Sequence, residues 1–156
     1  MSNITIISGG QTGVDRAALD FALENKITCG GKCPKGRIAE DGKLSVKYPL
    51  TETYSTDYAV RTRSNIIESD GTLILMTGKD MDKGTKFTVA LAKEREKHLN
   101  IIDMNDDVEL SSIMLKQWLK ENKIKTLNIA GNRESRQAGI YKLALNYLQQ
   151  MRGIFV

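Results

Sequence analysis

Short apolar runs alternate along the chain with longer segments in which apolar residues recur at helical spacing. Five apolar runs bounded by turn residues predict buried strands at residues 4–7, 26–30, 72–76, 99–102 and 126–130. Five amphipathic segments predict helices at about residues 13–22, 55–68, 86–93, 108–121 and 140–151. Strictly interleaved strands and helices predict an α/β fold. We expect a three-layer Rossmann-like sandwich with a mainly parallel sheet of five strands or more.

Polar residues at the helix starts predict how the helices begin. Thr12 followed by Asp15 has the spacing of a capping box, which places the start of the first helix near residue 13. Ser55 or Thr56 is predicted to cap the second helix, with Asp57 near its N-terminus. The apolar residues of the fourth helix are predicted to face the core: Leu110, Ile113, Met114, Trp118 and Leu119.

A glycine-rich loop joins the first strand to the first helix. Backbone N–H groups can approach a ligand closely at glycines, and the first turn of a helix carries unsatisfied donors with partial positive charge. We therefore predict a phosphate or oxyanion site formed by Gly9, Gly10, Gln11, Thr12 and Gly13. In the alternative interpretation, the glycines serve only a tight turn. The spacing matches neither the dinucleotide fingerprint nor the P-loop motif.

The loops after the third and fifth strands also carry glycines and donor side chains. Because the carboxyl ends of parallel strands meet at one sheet edge, where ligands bind, the three loops are expected to converge. These two loops add candidate ligand-binding residues: Gly84, Thr85, Gly131, Arg133, Glu134 and Ser135.

Two further segments supply candidate ligand contacts. Arg61 and Asn65 lie one helical turn apart and form either a polar face toward the cleft or an exposed surface. The long irregular stretch 31–53 contributes Lys35 and Arg37, either as a ligand-contacting arm or lid or as a solvated excursion.

Composition limits the classes of function. At 156 residues the chain is predicted to form a single domain, residues 1–156. No basic and apolar leader opens it and no apolar run could cross a bilayer, so a cytoplasmic protein without a membrane partner is predicted. The net charge of +4, with cations near the predicted loops, favours an anionic partner. Nucleic-acid binding is disfavoured, because aromatic residues make up only 6% and do not interleave with the basic ones.

Few residues offer metal ligation or acid–base chemistry. Two cysteines and one histidine are too few for a structural zinc site, so no metal site is predicted, and Cys29 and Cys33 are expected to be free thiols of undetermined role. Glu134 is the best candidate catalytic acid, although an ion pair that orients Arg133 is the favoured role for it. The other candidate acids are Asp15, which has a competing role at a helix start, and Glu40, Asp41, Asp80 and Asp82.

Taken together, several segments resemble the putative molybdenum carrier family: residues 8–20, 33–37, 39–42, 48–52, 61–65, 69–73 and 130–135. That family belongs to a Rossmann-like superfamily with the lysine-decarboxylase-like cytokinin-activating hydrolases and the DNA-processing protein A. The resemblance implies a cytosolic homo-oligomer, a dimer or tetramer. It also implies binding of a phosphorylated, nucleotide-like or pterin-like ligand, with the molybdenum cofactor (molybdopterin) among the candidates, by the glycine loops and a basic crevice.

One position separates this chain from the hydrolase branch of that superfamily. Where those hydrolases carry Pro-Gly-Gly-x-Gly-Thr-x-x-Glu, this chain has residues 81–88, and Thr88 takes the place of the glutamate. We therefore expect a binding or carrier protein for a small anionic ligand rather than an enzyme. A phosphoribohydrolase-like, nucleotide-processing enzyme and, less favoured, a single-stranded nucleic-acid binder remain the alternatives.

Overall fold

A computed structural model describes residues 3–156. In chain order its elements are β1 (Thr5–Ile7), α1 (Val14–Glu24), β2 (Cys29–Gly30), β3 (Lys32–Cys33), β4 (Ile38–Ala39), β5 (Gly42–Lys43), β6 (Thr51–Glu52), α2 (Tyr58–Glu68), β7 (Gly71–Met76), α3 (Lys83–Glu94), β8 (His98–Asp103), α4 (Val108–Glu121), β9 (Thr126–Gly131), α5 (Ile140–Gln150) and a 3-10 helix (Arg152–Ile154). Strands β1, β2, β7, β8 and β9 correspond to the five predicted runs.

The main sheet is entirely parallel and has the strand order β2-β1-β9-β7-β8. The chain leaves β1 toward one edge of the sheet and leaves β7 toward the other. The last strand, β9, then inserts between them, so that Ile7 pairs with Asn128 and Leu75 pairs with Gly131. The carboxyl ends of β1, β9 and β7 therefore adjoin where the strand order reverses, which is where open α/β sheets bind ligands.

Helices cover both faces of this sheet. The main core cluster joins α1, α4 and α5 to the sheet, and α1 packs directly on α5. Helices α2 and α3 pack together through Ile66, Leu91 and Ala92. Leu99 of β8 packs against this pair, whereas Ile102, which points to the other face of the same strand, belongs to the main cluster, so α2 and α3 lie on the opposite face. The predicted three-layer Rossmann-like sandwich is confirmed.

The stretch 31–53, which is called the arm below, is ordered rather than irregular. It contains the parallel pair β3–β6 and the antiparallel hairpin β4–β5. The Arg37 guanidinium donates to the main-chain carbonyls of Ser45, Tyr48 and Leu50. A second core cluster packs the arm against α1: Leu19, Cys33, Ala39, Leu44, Tyr48 and Leu50. The arm is therefore a docked part of the domain, and Arg37 holds it together from inside.

The predicted helix starts need correction. The N-cap of α1 is Gly13, which makes no side-chain cap, and the Thr12 hydroxyl contacts Glu40 instead. Helix α2 is capped by Asp57, whose Oδ1 accepts from the Ala59 amide at 2.9 Å, rather than by Ser55 or Thr56. Helix α3 starts at Lys83, three residues earlier than predicted, because the preceding Asp82 caps it. Several polar residues precede each helix, and the conformation of the preceding chain determines which of them caps it.

The core prediction for α4 was wrong for three residues. Leu110, Ile113 and Met114 are 58%, 61% and 61% exposed, and the buried residues of the helix are Leu115 and Leu119. Trp118 packs against the core while partly buried. The reason is that α4 lies beside the edge strand β8, where the sheet is too narrow to cover the whole apolar stripe.

Two further predictions concern the cysteines and the absence of a membrane-spanning segment. Cys33 is buried, Cys29 is half-buried, and both are free thiols, as predicted. None of the helices in residues 3–156 combines the length and the apolar character that a bilayer crossing requires.

Candidate functional site

A narrow crevice opens at the carboxyl edge of the sheet, between the ends of β1 and β9 and the helices α2 and α3. It encloses about 40 Å³, which is room for a group of a few heavy atoms. We call this cavity the crevice, and its lining consists of Gly9, Gln11, Asp15, Arg61, Thr62, Asn65, Asp82, Gly84, Thr85, Thr88, Asn128, Ala130, Gly131 and Arg133.

Two arginines converge on the crevice from different elements. Arg61 projects from α2, is only 6% exposed, and donates from Nη1 to the Gly9 carbonyl at 2.7 Å. Burial lowers the pKa of the Arg61 guanidinium, and the nearby Asp15 carboxyl opposes that effect. Arg133 follows β9, and both guanidinium carbons lie over the ring of Tyr58, at 5.0 Å for Arg61 and 5.4 Å for Arg133. A shared aromatic ring therefore holds two cations close to one another.

The predicted partner of Arg133 was wrong. Its Nη1 lies 3.6 Å from Glu40 Oε2, beyond hydrogen-bond distance, and not against Glu134. The main-chain N–H of Arg133 donates to Asp82 at 2.9 Å, which fixes the start of the side chain. Its guanidinium is thus anchored by an ion pair while its donors stay available, which suits bidentate recognition of a phosphate.

Gln11 presents a buried donor to the same cavity. The side chain is 4% exposed, and its Oε1 accepts from the main-chain N–H groups of Thr12 at 3.1 Å and Glu40 at 2.9 Å. These two bonds orient the amide, and its Nε2 is buried without a hydrogen-bond partner in the described chain. Buried polar groups are nearly always paired, so an acceptor is missing at this point.

An acid also faces the crevice. Asp15 lies in the first turn of α1 and is 8% exposed; burial raises the pKa of its carboxyl to about 6, which Arg61 partly opposes. Asp82 is different, because both of its carboxylate oxygens accept hydrogen bonds, from the amides of Thr85 and Arg133. The Asp15 carboxyl is therefore able to change its protonation state near neutral pH.

Asn132 connects the loops around the crevice and was missed by the sequence analysis. Its Oδ1 accepts from the Asp82 amide at 2.9 Å and from the Thr85 hydroxyl at 3.1 Å. Its Nδ2 donates to the Asp80 carbonyl at 3.2 Å and to Gln137 Oε1 at 3.0 Å. The one available signal was its place directly after the glycine that ends β9. It fixes the β7–α3 loop against the β9–α5 loop.

The glycines of the first loop make room for protein atoms. A Cβ on Gly13, which has φ +82°, would lie 2.2 Å from the Asn132 carbonyl oxygen. A Cβ on Gly9 would lie 2.8 Å from Arg61 Nη1, and one on Gly10 would lie 2.7 Å from a methyl group of Leu50. The Val14 amide, in the first turn of α1, already donates to Asn132. These contacts favour the alternative that the glycines serve tight packing, and the remaining space lies beside them in the crevice.

The structure brings together part of the predicted set. Eight predicted residues line the crevice: Gly9, Gln11, Arg61, Asn65, Gly84, Thr85, Gly131 and Arg133. The Asn65 amide is also occupied, since it exchanges two hydrogen bonds with the main chain of Lys32 and ties the arm to α2. Gly10, Lys35 and Arg37 do not line it, and the lining residues outside the predicted set are Asp15, Thr62, Asp82, Thr88, Asn128 and Ala130.

Four more predicted residues, Thr12, Gly13, Glu134 and Ser135, line a separate, larger cavity of about 910 Å³, which we call the groove, whereas Gly10, Lys35 and Arg37 line neither. Its lining consists of Thr12, Gly13, Arg16, Asp20, Glu40, Asp41, Tyr48, Glu134, Ser135, Ala138, Gly139, Tyr141 and Lys142. Glu134 accepts from the amides of Gly139 at 2.5 Å and Tyr141 at 3.0 Å, so it caps the start of α5. This bonding is a structural alternative to the catalytic role considered for Glu134.

Comparisons with known proteins agree with this architecture. The profile of the circularly permutated YpsA SLOG family matches residues 6–152. A crystal structure of a putative molybdenum carrier protein from Syntrophus aciditrophicus SB superposes with a TM-score of 0.91, at 39% sequence identity and with 96% of each chain covered. No curated protein matches the chain. The resemblance found in the sequence is confirmed, and the chain belongs to the circularly permutated YpsA SLOG family.

Proposed function

We propose that this protein binds and carries a small anionic, phosphorylated ligand, either the molybdenum cofactor or a nucleotide-like molecule. One observation carries the proposal: Arg61, Arg133 and the unpaired Gln11 amide all present donors to one crevice at the carboxyl edge of the sheet. Charge-assisted bonds from arginine are the strong contacts of phosphate sites. The name of the similar structure, a putative molybdenum carrier protein, supports a carrier role.

The donor set fits the phosphate of such a ligand better than its ring system. A crevice of about 40 Å³ admits a phosphate but not a bicyclic ring. Arg61, Arg133 and Gln11 would hold the phosphate, and the ring would stay outside the crevice. When bound, the molybdenum cofactor supplies a redox-active metal, which a carrier needs only to bind and release. No group of three His, Cys, Asp or Glu side chains suited to a metal occurs in residues 3–156.

Arg133→Lys tests the proposal, because it keeps the charge and removes the planar fork of donors. Binding of inorganic phosphate and of a nucleoside monophosphate, measured by calorimetry, should weaken by about 1–2 kcal/mol for the lost charge-assisted bond. Arg16→Lys is the matched control: Arg16 pairs with Asp41 in the groove, and its replacement should leave affinity unchanged.

Two outcomes would place the ligand elsewhere. One is that Arg133→Lys and Arg133→Ala leave affinity unchanged while lowering the melting temperature, which makes Arg133 structural. The other is an equal loss of affinity in the Arg16 control. Mass spectrometry of what co-purifies from a native source would then identify the ligand itself.

The hydrolase alternative rests on Asp15, a buried acid in the crevice with a pKa raised to about 6, suited to general acid–base work. Thr88 lines the crevice, and its hydroxyl donates to the Gly84 carbonyl. As a carrier, the protein should not hydrolyse nucleoside monophosphates at about one turnover per second, a typical enzymatic rate. Turnover at that rate that is lost in Asp15→Asn and kept in Glu134→Gln would favour the hydrolase.

Self-association and a cytoplasmic location also stay predictions. For self-association we propose the surface formed by Leu110, Ile113 and Met114 of α4, since exposed apolar side chains that cluster beside a sheet edge are typical of interfaces. Light scattering after size exclusion should show a dimer or tetramer that Ile113→Glu dissociates and that Lys116→Glu, on the same helix, preserves. A monomeric wild-type protein would contradict this proposal.

A further inference from the structure

Asp15 is an acid that lies among groups able to bind an anion. The inference drawn from this arrangement rests on the function proposed above and deepens it. We propose that the crevice holds its oxyanion together with one proton, shared between the Asp15 carboxyl and an oxygen of the ligand. Asp15 would thereby select oxyanions that carry a proton, such as hydrogen phosphate, over fully ionised ones such as sulfate.

Asp15 lines the crevice, and its carboxyl has few bonds to the protein. Its main-chain carbonyl accepts from the buried Ser8 hydroxyl at 2.8 Å, which fixes the residue at the start of α1. Within residues 3–156 the carboxyl forms no ion pair and accepts no side-chain hydrogen bond, and the main-chain N–H of Gln11 is the donor that faces it. It therefore keeps the capacity to bond to a ligand.

Charged groups face Asp15 from three neighbouring elements. Arg61 approaches from α2, Arg133 from the β9–α5 loop, and Asp82 from the residue before α3. With both acids ionised, the four charges sum to zero. A fully ionised oxyanion would then add negative charge to a balanced, buried cluster, next to a like-charged carboxylate.

A proton shared between Asp15 and the ligand replaces this repulsion with an attraction. A carboxyl and an oxyanion that share a proton form a short, charge-assisted O–H···O bond in place of a repulsion. Sulfate cannot supply that proton near neutral pH, so its binding takes one proton from solvent. Hydrogen phosphate brings its own proton, and its binding needs none from solvent.

The protonation behaviour of Asp15 sets the pH range of the effect. Burial raises the pKa of the Asp15 carboxyl to about 6. Sulfate affinity should therefore be high below this pH and fall about tenfold per pH unit above it, to roughly one thirtieth at pH 7.5, because only the protonated fraction is competent. Phosphate affinity should change much less over the same range.

Calorimetric titration of the full chain with sulfate and with phosphate, from pH 5.5 to 7.5, tests the proposal. We expect the wild-type protein to prefer phosphate strongly at pH 7.5 and weakly at pH 5.5. Asp15→Asn, whose amide donates at every pH, should bind sulfate about equally across the range and up to roughly 30-fold tighter than wild type at pH 7.5. Asp41→Asn, an acid outside the crevice, should keep the wild-type profile.

The possible failures are distinguishable. Sulfate binding without pH dependence, or an unchanged profile in Asp15→Asn, would overturn the role of Asp15 and leave the oxyanion site intact. Absence of binding of both anions to the wild-type protein at every pH would overturn the proposed function, and the shared proton with it. If Asp15→Asn does not fold, titrations of the wild type in buffers of different ionisation heat decide: no proton uptake with sulfate at pH 7 overturns the proposal.

Discussion

The crevice and the groove lie on either side of the same two loops, residues 9–13 and 131–135. They differ in volume and in whether their polar groups have partners within the protein. The groove is the larger, at about 910 Å³ against about 40 Å³. Its acids, however, all have partners within the protein: for example, Asp20 accepts from the hydroxyls of Tyr48 and Tyr141, and Arg16 pairs with Asp41 through two bonds of 3.0 Å.

The crevice, by contrast, contains polar groups that the protein leaves unused. Gln11 Nε2 has no partner in the described chain, the Asp15 carboxyl forms no ion pair there, and Arg133 is held at 3.6 Å from Glu40 without a hydrogen bond. Buried polar groups without partners are rare, so the unpaired Gln11 amide beside two arginines is stronger support for a site than volume. Unpaired polar groups therefore favour the crevice over the groove as the site of the proposed ligand.

Glu40 stands between the two cavities and belongs mainly to the groove. Its carboxylate accepts from the hydroxyls of Ser135 and Thr12 and forms the ion pair with Arg133. Burial raises the pKa of Glu40, but these hydrogen bonds outweigh it and hold the pKa below its usual value. The arm, through Glu40, therefore sets the position of a crevice arginine from the groove side.

The largest expected effect is on stability, and it differs between Arg61 in the crevice and Arg16 in the groove. Arg61→Met should lower the free energy of unfolding by about 3–5 kcal/mol, because it removes a buried, hydrogen-bonded guanidinium and one of the two positive charges that face Asp15. It should also abolish phosphate binding. Arg16→Met in the groove should cost less, since its partner Asp41 is half exposed. Urea denaturation measures both, and equal losses would contradict the distinction.

Asp15 should make stability depend on pH in a direction opposite to that of an ordinary paired carboxylate. Its pKa is raised from 3.8 to about 6 in the folded protein, so the folded state favours the protonated form. That stabilisation is complete below about pH 4 and is lost as pH rises through 6, a change of about 3 kcal/mol by linkage.

The difference in free energy of unfolding between the wild-type protein and Asp15→Asn isolates this contribution. Measured by urea denaturation from pH 4 to 7.5, the variant should become the more stable protein as pH rises. Parallel curves across this range would show that Asp15 ionises normally in the folded state.

The smallest effect belongs to the groove. Asp20→Asn keeps an acceptor but removes the charge that two tyrosine hydroxyls share, so the free energy of unfolding should fall by about 1–2 kcal/mol. Phosphate affinity should not change. A loss of phosphate binding in a folded Asp20→Asn protein would make the groove part of the ligand site and would remove the contrast between the two cavities.

Local patterns were sufficient for the architecture. The β-branched runs predicted all five strands of the main sheet, and the helical periodicity predicted the helices between them. Their alternation predicted that the sheet is parallel. These features depend on residues that are near one another in the chain, since each apolar face must be buried wherever the element packs. The sheet edge that carries the crevice followed from the same reasoning.

Long-range packing decided what the sequence left open or predicted wrongly. Gly13 accommodates the main chain of Asn132, more than a hundred residues away, and Gln11 is oriented by the amide of Glu40 in the arm. The exposure of Ile113 on α4 depends on the narrow sheet edge beside β8. The spacing of apolar residues or of glycines in the sequence does not reveal whether these residues contact protein, ligand or solvent.

The sequence by itself therefore determined an α/β domain and the edge at which a ligand site is expected, at the ends of β1, β7 and β9. Only the tertiary structure decided which residues at that edge share a cavity. Inserting β9 between β1 and β7 brings Arg133 against the ring of Tyr58 beside Arg61 and leaves Asp15 buried between them. Charge, burial and missing partners are properties of that assembly, because each depends on which distant segments exclude water from the same few side chains.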